Sequence, residues 1–298
     1  MLLYTSLHYD IFVILVKTLE RFTLTYYGTF KVTTISLADQ LLITLMKLRL
    51  GAKDLDLSVR FNTSRTTISN IFHTILCALH ELLCDGIMFQ GIPSQLKCRG
   101  SLPQSFGDFV SARGVIDATE ITQDIPGNLN DQSDCYSTYK SRHTVKAVTC
   151  VSPNAAIVWS SKLYPGSVSD VAITEHSKLL SNFVPGDLIL ADKGFTIFDK
   201  LPAGVSLNIP PFLRGKAHFT KQEADLCFKI AKARIHVERA NERIKNFGIL
   251  DHIPAHLRPL STKIFQVCCC LVNLQDPLIK EIADKYNMEL QPKMPKQD

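Results

Sequence analysis

The chain has 298 residues, of which 46% are hydrophobic, 20% charged and 8% aromatic. This composition is too apolar and too weakly charged for a disordered chain, and it is typical of one large globular domain or two smaller ones. The net charge is +5, a mild excess that is compatible with a polyanionic partner but does not by itself predict one.

Neither a membrane span nor a secretory leader is predicted. The longest apolar run near the start, residues 11–16, is far shorter than the roughly 20 residues that cross a bilayer. We therefore expect a soluble protein with no membrane partner. The nine cysteines form no C-x-x-C pair, and three of them, residues 268–270, lie in an apolar stretch. We expect buried thiols in a reducing, intracellular environment.

Residues 36–83 follow a helical pattern in three segments. Ser36 is placed to cap a first helix that Gly51 ends, a short helix covers residues 54–61, and Ser64 opens a third helix that runs to about residue 83. A short helix, a tight turn and a longer helix are typical of a helix-turn-helix, whose last helix enters the major groove of DNA.

The first turn of that last helix supplies the predicted DNA contacts. Its polar side chains are suited to phosphate oxygens or base edges, and they are Arg65, Thr66, Thr67 and Asn70. A three-helix packing unit with a polar helix start is the alternative, and this segment alone does not decide between the two.

The pattern changes after a segment rich in Pro, Gly, Ser and Gln at residues 93–107. The predicted strands and helices then follow in the order strands 114–119, 144–151 and 155–161, helix 170–182, strands 187–191 and 205–209, and helix 220–247. The second and third strands are joined by a tight turn and should form a hairpin. This order predicts an α/β fold, a mixed sheet with helices packed on it.

Three carboxylates lie where catalysis could use them. Asp117 is in the middle of the first strand, Asp192 closes the fourth, and Glu238 lies on the final helix. A charge in or at the end of an apolar strand is costly to desolvate unless it is paired or bound to a metal. One such residue is more often structural, whereas two on neighbouring strands favour a metal site. Carboxylate oxygens suit Mg²⁺, and two such ions can catalyse phosphoryl transfer.

From about residue 36 to residue 279, the sequence resembles the DDE-superfamily transposases of the PIF/Harbinger type. The stretches that carry the resemblance are SLADQLL at 36–42, VIDATE at 115–120, YSTYK at 136–140, YPGSVSD at 164–170, ADKGF at 191–195 and RIHVER at 234–239. The second family acid stands in Asp-x-Gly-Tyr/Phe, which residues 192–195 match. The third stands in Tyr-x2-Arg-x3-Glu-x6-Lys, which Arg234, Glu238 and Lys245 match, whereas Ala231 replaces the tyrosine.

The resemblance implies a ribonuclease-H-like catalytic domain preceded by an all-helical helix-turn-helix domain. It implies that Asp117, Asp192 and Glu238 are catalytic and hold two divalent ions, Mg²⁺ or Mn²⁺. The implied activity is DNA endonuclease and strand-transfer chemistry in the nucleus, or in nucleus and cytoplasm. DNA is the implied partner, and a second copy of the chain or an accessory DNA-binding protein is a further expected one.

Asp170 is the main competitor for the second metal position. We expect it to cap the helix that follows it or to lie just behind the metal ligands, with direct metal contact as the alternative. Glu120 and Asp134 are expected at the surface. His143 and His236 are expected to be hydrogen-bonded structural residues, because Mg²⁺ has little use for imidazole.

The segment at residues 213–245, which includes most of the final predicted helix, is basic. Residues 213–245 carry nine Lys or Arg, including Arg214 and Lys216, and only four acids. We expect Arg234, Arg239 and Lys245 to hold the DNA backbone over the metals. A salt-bridged solvent face is the alternative for such a pattern.

The resulting division of the chain has five parts. They are a segment at 1–35 that resembles the family poorly, a helix-turn-helix domain at 36–92, a linker at 93–110, a nuclease domain at 111–280 and a tail at 281–298. Two other functions stay open: a domesticated transposase that binds DNA or a partner without cleavage, and a hydrolase of small phosphate compounds, which predicts a closed pocket.

Overall fold

The computed structural model describes residues 1–28, 30–213, 218–279, 281, 282 and 284. Arg214 and Lys216 of the basic segment lie outside the described residues, as does most of the predicted tail.

Five helices form the N-terminal part of the protein. They are α1 Leu2–Thr5, α2 Tyr9–Leu19, α3 Leu37–Leu50, α4 Asp54–Arg60 and α5 Arg65–Leu79. Both predicted caps are confirmed, because Ser36 Oγ accepts the backbone N–H of Asp39 and Ser64 Oγ accepts that of Thr67. The short α4, the turn and the longer α5 form the predicted helix-turn-helix.

The first 35 residues also join this helical part. Leu7, Leu15 and Leu19 are buried and belong to the same apolar core as the helices that follow. The N-terminal segment therefore packs against the helix-turn-helix.

Two glycines bring the helical part into backbone contact with the C-terminal half. Gly51 ends α3 in the left-handed region, at φ +63°. A Cβ on Gly51 would lie 2.9 Å from the carbonyl oxygen of Gly248. A side chain at this point would push the two halves apart, so glycine permits both the turn and the close approach.

In the part of the chain that the structure describes, seven strands form one curled mixed sheet. They are β1 Ala112–Thr122, β2 Tyr136–Ser137, β3 Arg142–Val151, β4 Ile157–Ser160, β5 Tyr164–Pro165, β6 Leu188–Ala191 and β7 Ser206–Asn208. The order is β2-β3-β1-β6-β7, with β4 and β5 also paired to β3. β1 is antiparallel to β3 and parallel to β6, and β6 is parallel to β7. The predicted hairpin is confirmed in β3 and β4, and the sheet is the predicted ribonuclease-H-like one.

Five further helices accompany the sheet. They are α6 Gln95–Gly100, α7 Leu129–Cys135, α8 Asp170–His176, α9 Lys221–Lys245 and α10 Ser261–Asn273. The long α9 crosses β1 and β3, and its inner residues Ile230, Val237 and Ile244 are fully buried. α10 contacts α5, α9 and β4, so it joins the helical part to the sheet.

Residues 93–110, predicted as a linker, are packed against the nuclease domain. Phe106 and Phe109 are buried in the shared core, and the ring of Phe106 stacks on His236 of α9 at 5.9 Å between ring centroids. The chain between the two halves is thereby tied down.

The start of β1 also fastens this segment. Arg113 donates hydrogen bonds to the carbonyl oxygens of Ile92 and Pro93, and it pairs with the buried carboxylate of Asp187 at 2.6 Å. A buried ion pair is stable only when its remaining polar atoms are also satisfied, and these carbonyls satisfy the guanidinium.

The three consecutive cysteines, residues 268–270, are small buried apolar groups, as predicted, and four others are buried too, whereas Cys77 and Cys227 are half-buried. All nine are free thiols, and Cys268 and Cys269 on α10 are fully buried. Burial raises the pKa of both thiols, which keeps them protonated.

Among the described residues one helical stretch, Arg65–Gln90, has the length and apolarity to cross a membrane. Half of its most apolar window is buried inside the protein, where it contributes to the shared core.

Gly114 in β1 offers a test of the sheet packing. A Cβ there would lie 2.7 Å from Cys150 Sγ and 2.9 Å from Phe183 Cζ, both of which are buried. We expect Gly114→Ala to lower the free energy of unfolding by about 1–3 kcal/mol through overpacking, as measured by urea denaturation. Gly127→Ala, which has open space around the new methyl, is the control. Equal stability of the two variants would contradict the packing described here.

Candidate active site and nucleic-acid interface

Three elements of the fold place the predicted acids at one end of the sheet. Asp117 lies within β1, and Asp192 is the residue that follows β6. Ile116 pairs with Ala191 in the parallel ladder of these strands, so the two acids lie at the same level on neighbouring strands. Glu238 reaches them from α9, which packs across β1.

All three carboxylates contact one guanidinium, that of Arg234. One terminal nitrogen of Arg234 donates to Asp192 Oδ1 at 3.0 Å, and the other lies 4.0 Å from Asp117 Oδ1 and 3.8 Å from Glu238 Oε1. Arg234 is buried, and its Nε has no hydrogen-bond partner. A buried charge of this kind requires counter-charges, and the three acids supply them.

The acid cluster is closed on the sheet side and open on the other. The Asp117 side chain is 22% exposed, whereas those of Asp192 and Glu238 are 52% and 59% exposed. Burial raises the pKa of Asp117, against the opposing effects of Arg234 and of a hydrogen bond from Asn241. Asp117 is therefore the acid held inside the protein, and the other two face solvent.

The donor set fits oxygen-preferring divalent cations. Three carboxyl groups surround a single guanidinium at this point. As the side chains lie, no three His, Cys, Asp or Glu residues of the described chain are grouped to hold a metal ion. The guanidinium lies among the acid oxygens instead. In this structure, therefore, the cation among the acids is the Arg234 guanidinium.

Asn241 is a positioning residue that the sequence analysis missed. Its Nδ2 donates to Asp117 Oδ2 at 2.9 Å, and its Oδ1 accepts from Thr149 Oγ1 at 2.9 Å. It thereby ties α9 to both β1 and β3 beside the acids. Asn241 comes three residues after Glu238 on α9, so the two side chains lie on the same face of the helix. This spacing is the sequence pattern from which its position beside the acids could have been predicted.

The prediction that Asp170 caps α8 is wrong by one residue. Ser169 is the N-cap, and its Oγ accepts the backbone N–H of Ala172. Asp170 is the first residue of the helix, and its carboxylate lies 3.2 Å from Lys146 Nζ. Serine and aspartate are comparable N-cap residues, and the helix begins one residue earlier than predicted for a cap at Asp170, with Ser169 as its N-cap.

Asp170 nevertheless lies close to the acid cluster. A Cβ on Gly194 would lie 3.7 Å from Asp170 Oδ2, so Asp170 flanks the turn that follows Asp192. Asp170 pairs with Lys146, whereas Asp192 contacts Arg234 together with the other two acids. Asp192, and not Asp170, is therefore grouped with Asp117 and Glu238 around Arg234.

Glu120 is not at the surface, so that prediction is wrong. It stands opposite Lys146 in the ladder of β1 and β3, and the two side chains, both mostly buried, form an ion pair at 3.4 Å. Asp134 is exposed, as predicted.

His236 is a hydrogen-bonded structural residue, as predicted, whereas His143 makes a ring contact instead. His236 is buried and lies 2.8 Å from Ser105 Oγ through Nε2, and burial lowers its pKa. The ring of His143 packs edge-on against Tyr136.

The predicted DNA-contacting cations of α9 divide into two kinds. Arg239 and Lys245 are exposed, as a contact with phosphates requires. Arg234 is instead buried among the acids, so in this state it does not face a DNA backbone.

Lys245 lines a cleft of about 480 Å³ beside the hairpin of β2 and β3, here called the hairpin cleft. It is lined by Glu120, Thr122, Tyr139, Lys140, Arg142, Thr144, Lys245, Leu250 and Asp251.

In the helix-turn-helix, three of the four predicted DNA contacts lie at the start of α5. Arg65 and Thr66 are exposed, and Thr67 is half-buried with Oγ1 at 2.9 Å from Ser64 Oγ. Arg65 and Thr66 line a cleft of about 900 Å³ whose other wall includes His252 and His256. The start of α5 therefore faces a space bounded by both halves of the protein.

Asn70 is not available for DNA, which corrects that prediction. Its side chain is 3% exposed, its Oδ1 accepts the backbone N–H of Gly28 at 2.7 Å, and its Nδ2 donates to the carbonyl oxygen of Phe30 at 3.0 Å. Asn70 fastens the chain before α3 to α5.

Arg65 and Asn70 should therefore respond differently to substitution. We expect Arg65→Ala to weaken DNA binding and reduce the slope of log affinity against log salt by about one, with an unchanged melting temperature. We expect Asn70→Ala to lower the free energy of unfolding by about 1–3 kcal/mol, because two backbone groups lose their partner. Salt-titrated DNA binding and thermal melts measure both. An unstable Arg65→Ala or a fully stable Asn70→Ala would contradict the assignment.

The raised pKa of Asp117 predicts a cost to stability. A carboxyl whose pKa is higher in the folded than in the unfolded chain destabilises the fold where it is ionised, at neutral pH, and this cost disappears as the pH falls below about 4. We expect Asp117→Asn to raise the melting temperature at neutral pH in EDTA, with the difference shrinking on acidification. Added Mn²⁺ should stabilise the wild type more than the variant. A variant less stable than wild type at neutral pH in EDTA would contradict this prediction.

Two family models match the chain. A model described as DDE superfamily endonuclease matches residues 116–273, more than half of the chain, and a model described as helix-turn-helix of DDE superfamily endonuclease matches residues 33–85. The first match includes Asp117, Asp192 and Glu238. A search of curated proteins found no match. The models describe the superfamily, and the PIF/Harbinger type stays a prediction. The chain belongs to the DDE superfamily of transposase-derived endonucleases.

Proposed function

We propose that this protein is a metal-dependent DNA endonuclease of the transposase type, with Asp117, Asp192 and Glu238 as its catalytic residues. The observation that carries the proposal is the convergence of these acids, from β1, the end of β6 and α9, on one buried guanidinium within the family-matched region. Residues so far apart in sequence gain such proximity only through the fold.

The three carboxylates would hold two Mg²⁺ or Mn²⁺ ions, which supply activation of an attacking oxygen and stabilisation of the leaving oxygen of a phosphodiester. Asp117 is held in place by its strand and by Asn241, so its oxygens are oriented before any ligand arrives. Arg234, once released from the acids, is placed to pair with a DNA phosphate through its planar guanidinium.

The exposure of the site supports a large substrate. More than half of the Asp192 and Glu238 side-chain surface is open to solvent, whereas an enzyme for small phosphate compounds needs a closed pocket. Exposed cations on α9 and at the start of α5 would hold the DNA backbone.

The proposal predicts the loss of cleavage when any of the three acids is removed. We expect Asp117→Ala, Asp192→Ala and Glu238→Ala each to reduce Mg²⁺-dependent nicking of supercoiled DNA by about a thousandfold or more, because the site loses several kcal/mol of charge stabilisation. Glu242→Ala is the matched control, since Glu242 is an exposed acid one turn further along α9. It should cleave like the wild type.

Thermal melts of the variants separate loss of catalysis from loss of fold. Metal-dependent nicking that survives in the three folded alanine variants would remove the assignment. DNA binding by a wild type that never cleaves would replace it with a binding function.

A further inference from the structure

An exposed aromatic ring stands at the tip of the hairpin formed by β2 and β3. Tyr139 lies in the turn between these strands, and it is 84% exposed. The turn is ordered, because the backbone N–H of Lys140 donates to Ser137 Oγ at 3.3 Å and Ser141 takes a left-handed conformation at φ +52°. The ring therefore projects from a defined position while burying little of its apolar surface within the protein.

Positive charges surround this ring. Tyr139 lines the hairpin cleft together with Lys140, Arg142 and Lys245, all three exposed. The ammonium of Lys140 lies over the ring, 5.1 Å from its centroid. An aromatic face bordered by cations is the combination that binds a single nucleic-acid strand, with a base stacked on the ring and phosphates on the cations.

The hairpin cleft and the acid cluster lie along the same pair of strands, β1 and β3. Asp117 pairs with Thr149 on β3, and Arg142 begins that strand, about 23 Å away at 3.3 Å per residue. Lys245 lies between the two, one turn after Asn241 on α9. A DNA strand that follows these cations from the acids would reach Tyr139 after about seven nucleotides at 3.4 Å each.

We propose that the hairpin cleft binds an unpaired stretch of the DNA strand beside the cleaved bond, with a base stacked on Tyr139. The proposal rests on the proposed endonuclease function and adds a preference for unpaired DNA. In a duplex both faces of each base are covered by neighbouring bases, whereas an unpaired base offers a free face to the ring. Tyr139 would thus be a positioning residue that distinguishes melted or tailed ends from blunt ones.

The test measures binding without cleavage, in EDTA, to a blunt duplex and to the same duplex with an unpaired tail that contains 2-aminopurine. We expect the wild type to bind the tailed duplex more tightly and to quench the 2-aminopurine fluorescence. Tyr139→Ala should weaken binding of the tailed duplex about tenfold, equivalent to about 1.4 kcal/mol, lose the quenching and leave blunt-duplex binding unchanged. Tyr139→Phe and Tyr139→Trp should keep both properties.

Two further variants sharpen the test. Tyr9→Ala removes another exposed tyrosine, on α2 and outside the hairpin cleft, and should bind both DNAs like the wild type. Lys140→Ala should reduce the salt slope for the tailed duplex by about 0.7, the value for one phosphate contact on a single strand.

The outcomes separate this proposal from the one on which it rests. Tailed-duplex affinity and quenching that survive in Tyr139→Ala would overturn the stacking role even if the wild type cleaves DNA. Equal wild-type affinity for blunt and tailed duplexes would overturn the preference for unpaired DNA. A wild type that binds neither duplex would overturn the endonuclease function itself.

Discussion

Three carboxylates and one guanidinium hold the centre of this protein together. Like charges repel one another, and the Arg234 guanidinium places a cation among Asp117, Asp192 and Glu238. The same contacts join β1, the end of β6 and α9, which are the elements that define the sheet and its crossing helix. The arrangement is locally costly, because Asp117 is desolvated in its strand. Such a cost is common where charged groups are arranged for chemistry rather than for stability.

The rest of the fold fixes where DNA could lie relative to these acids. The helix-turn-helix and the nuclease domain share one apolar core, and their backbones meet at Gly51 and Gly248. The segment between them is fastened by Phe106 and by the contacts of Arg113. A helix on a flexible tether could sample many positions, whereas α5 of the helix-turn-helix has a set distance and direction from the acids.

Much of this structure could be predicted from the sequence because the relevant signals are local. Caps at Ser36 and Ser64, alternating apolar residues in the strands and the apolar face of α9 specify their elements without reference to the rest of the chain. The strand pattern also predicted that Asp117 and Asp192 lie on neighbouring strands, whereas the placement of Glu238 beside them was implied by the family resemblance.

The wrong predictions concern contacts between distant segments. Asn70 looked like a DNA contact because nothing local shows that residues 28 and 30 use its amide. Glu120 looked exposed because the strand register that places Lys146 opposite it is set by pairing. Arg234 looked like a contact for the DNA backbone, and only the packing of α9 on the sheet reveals that it is buried among the acids.

The most direct measurement is the anomalous scattering of Mn²⁺ in crystals grown or soaked with that ion. The structure and the proposed function together predict difference peaks bounded by the carboxylates of Asp117, Asp192 and Glu238, with the guanidinium of Arg234 moved away from Asp192. Fully occupied peaks at other residues, with Arg234 still bound to all three acids, would contradict the assignment of this cluster as the catalytic centre.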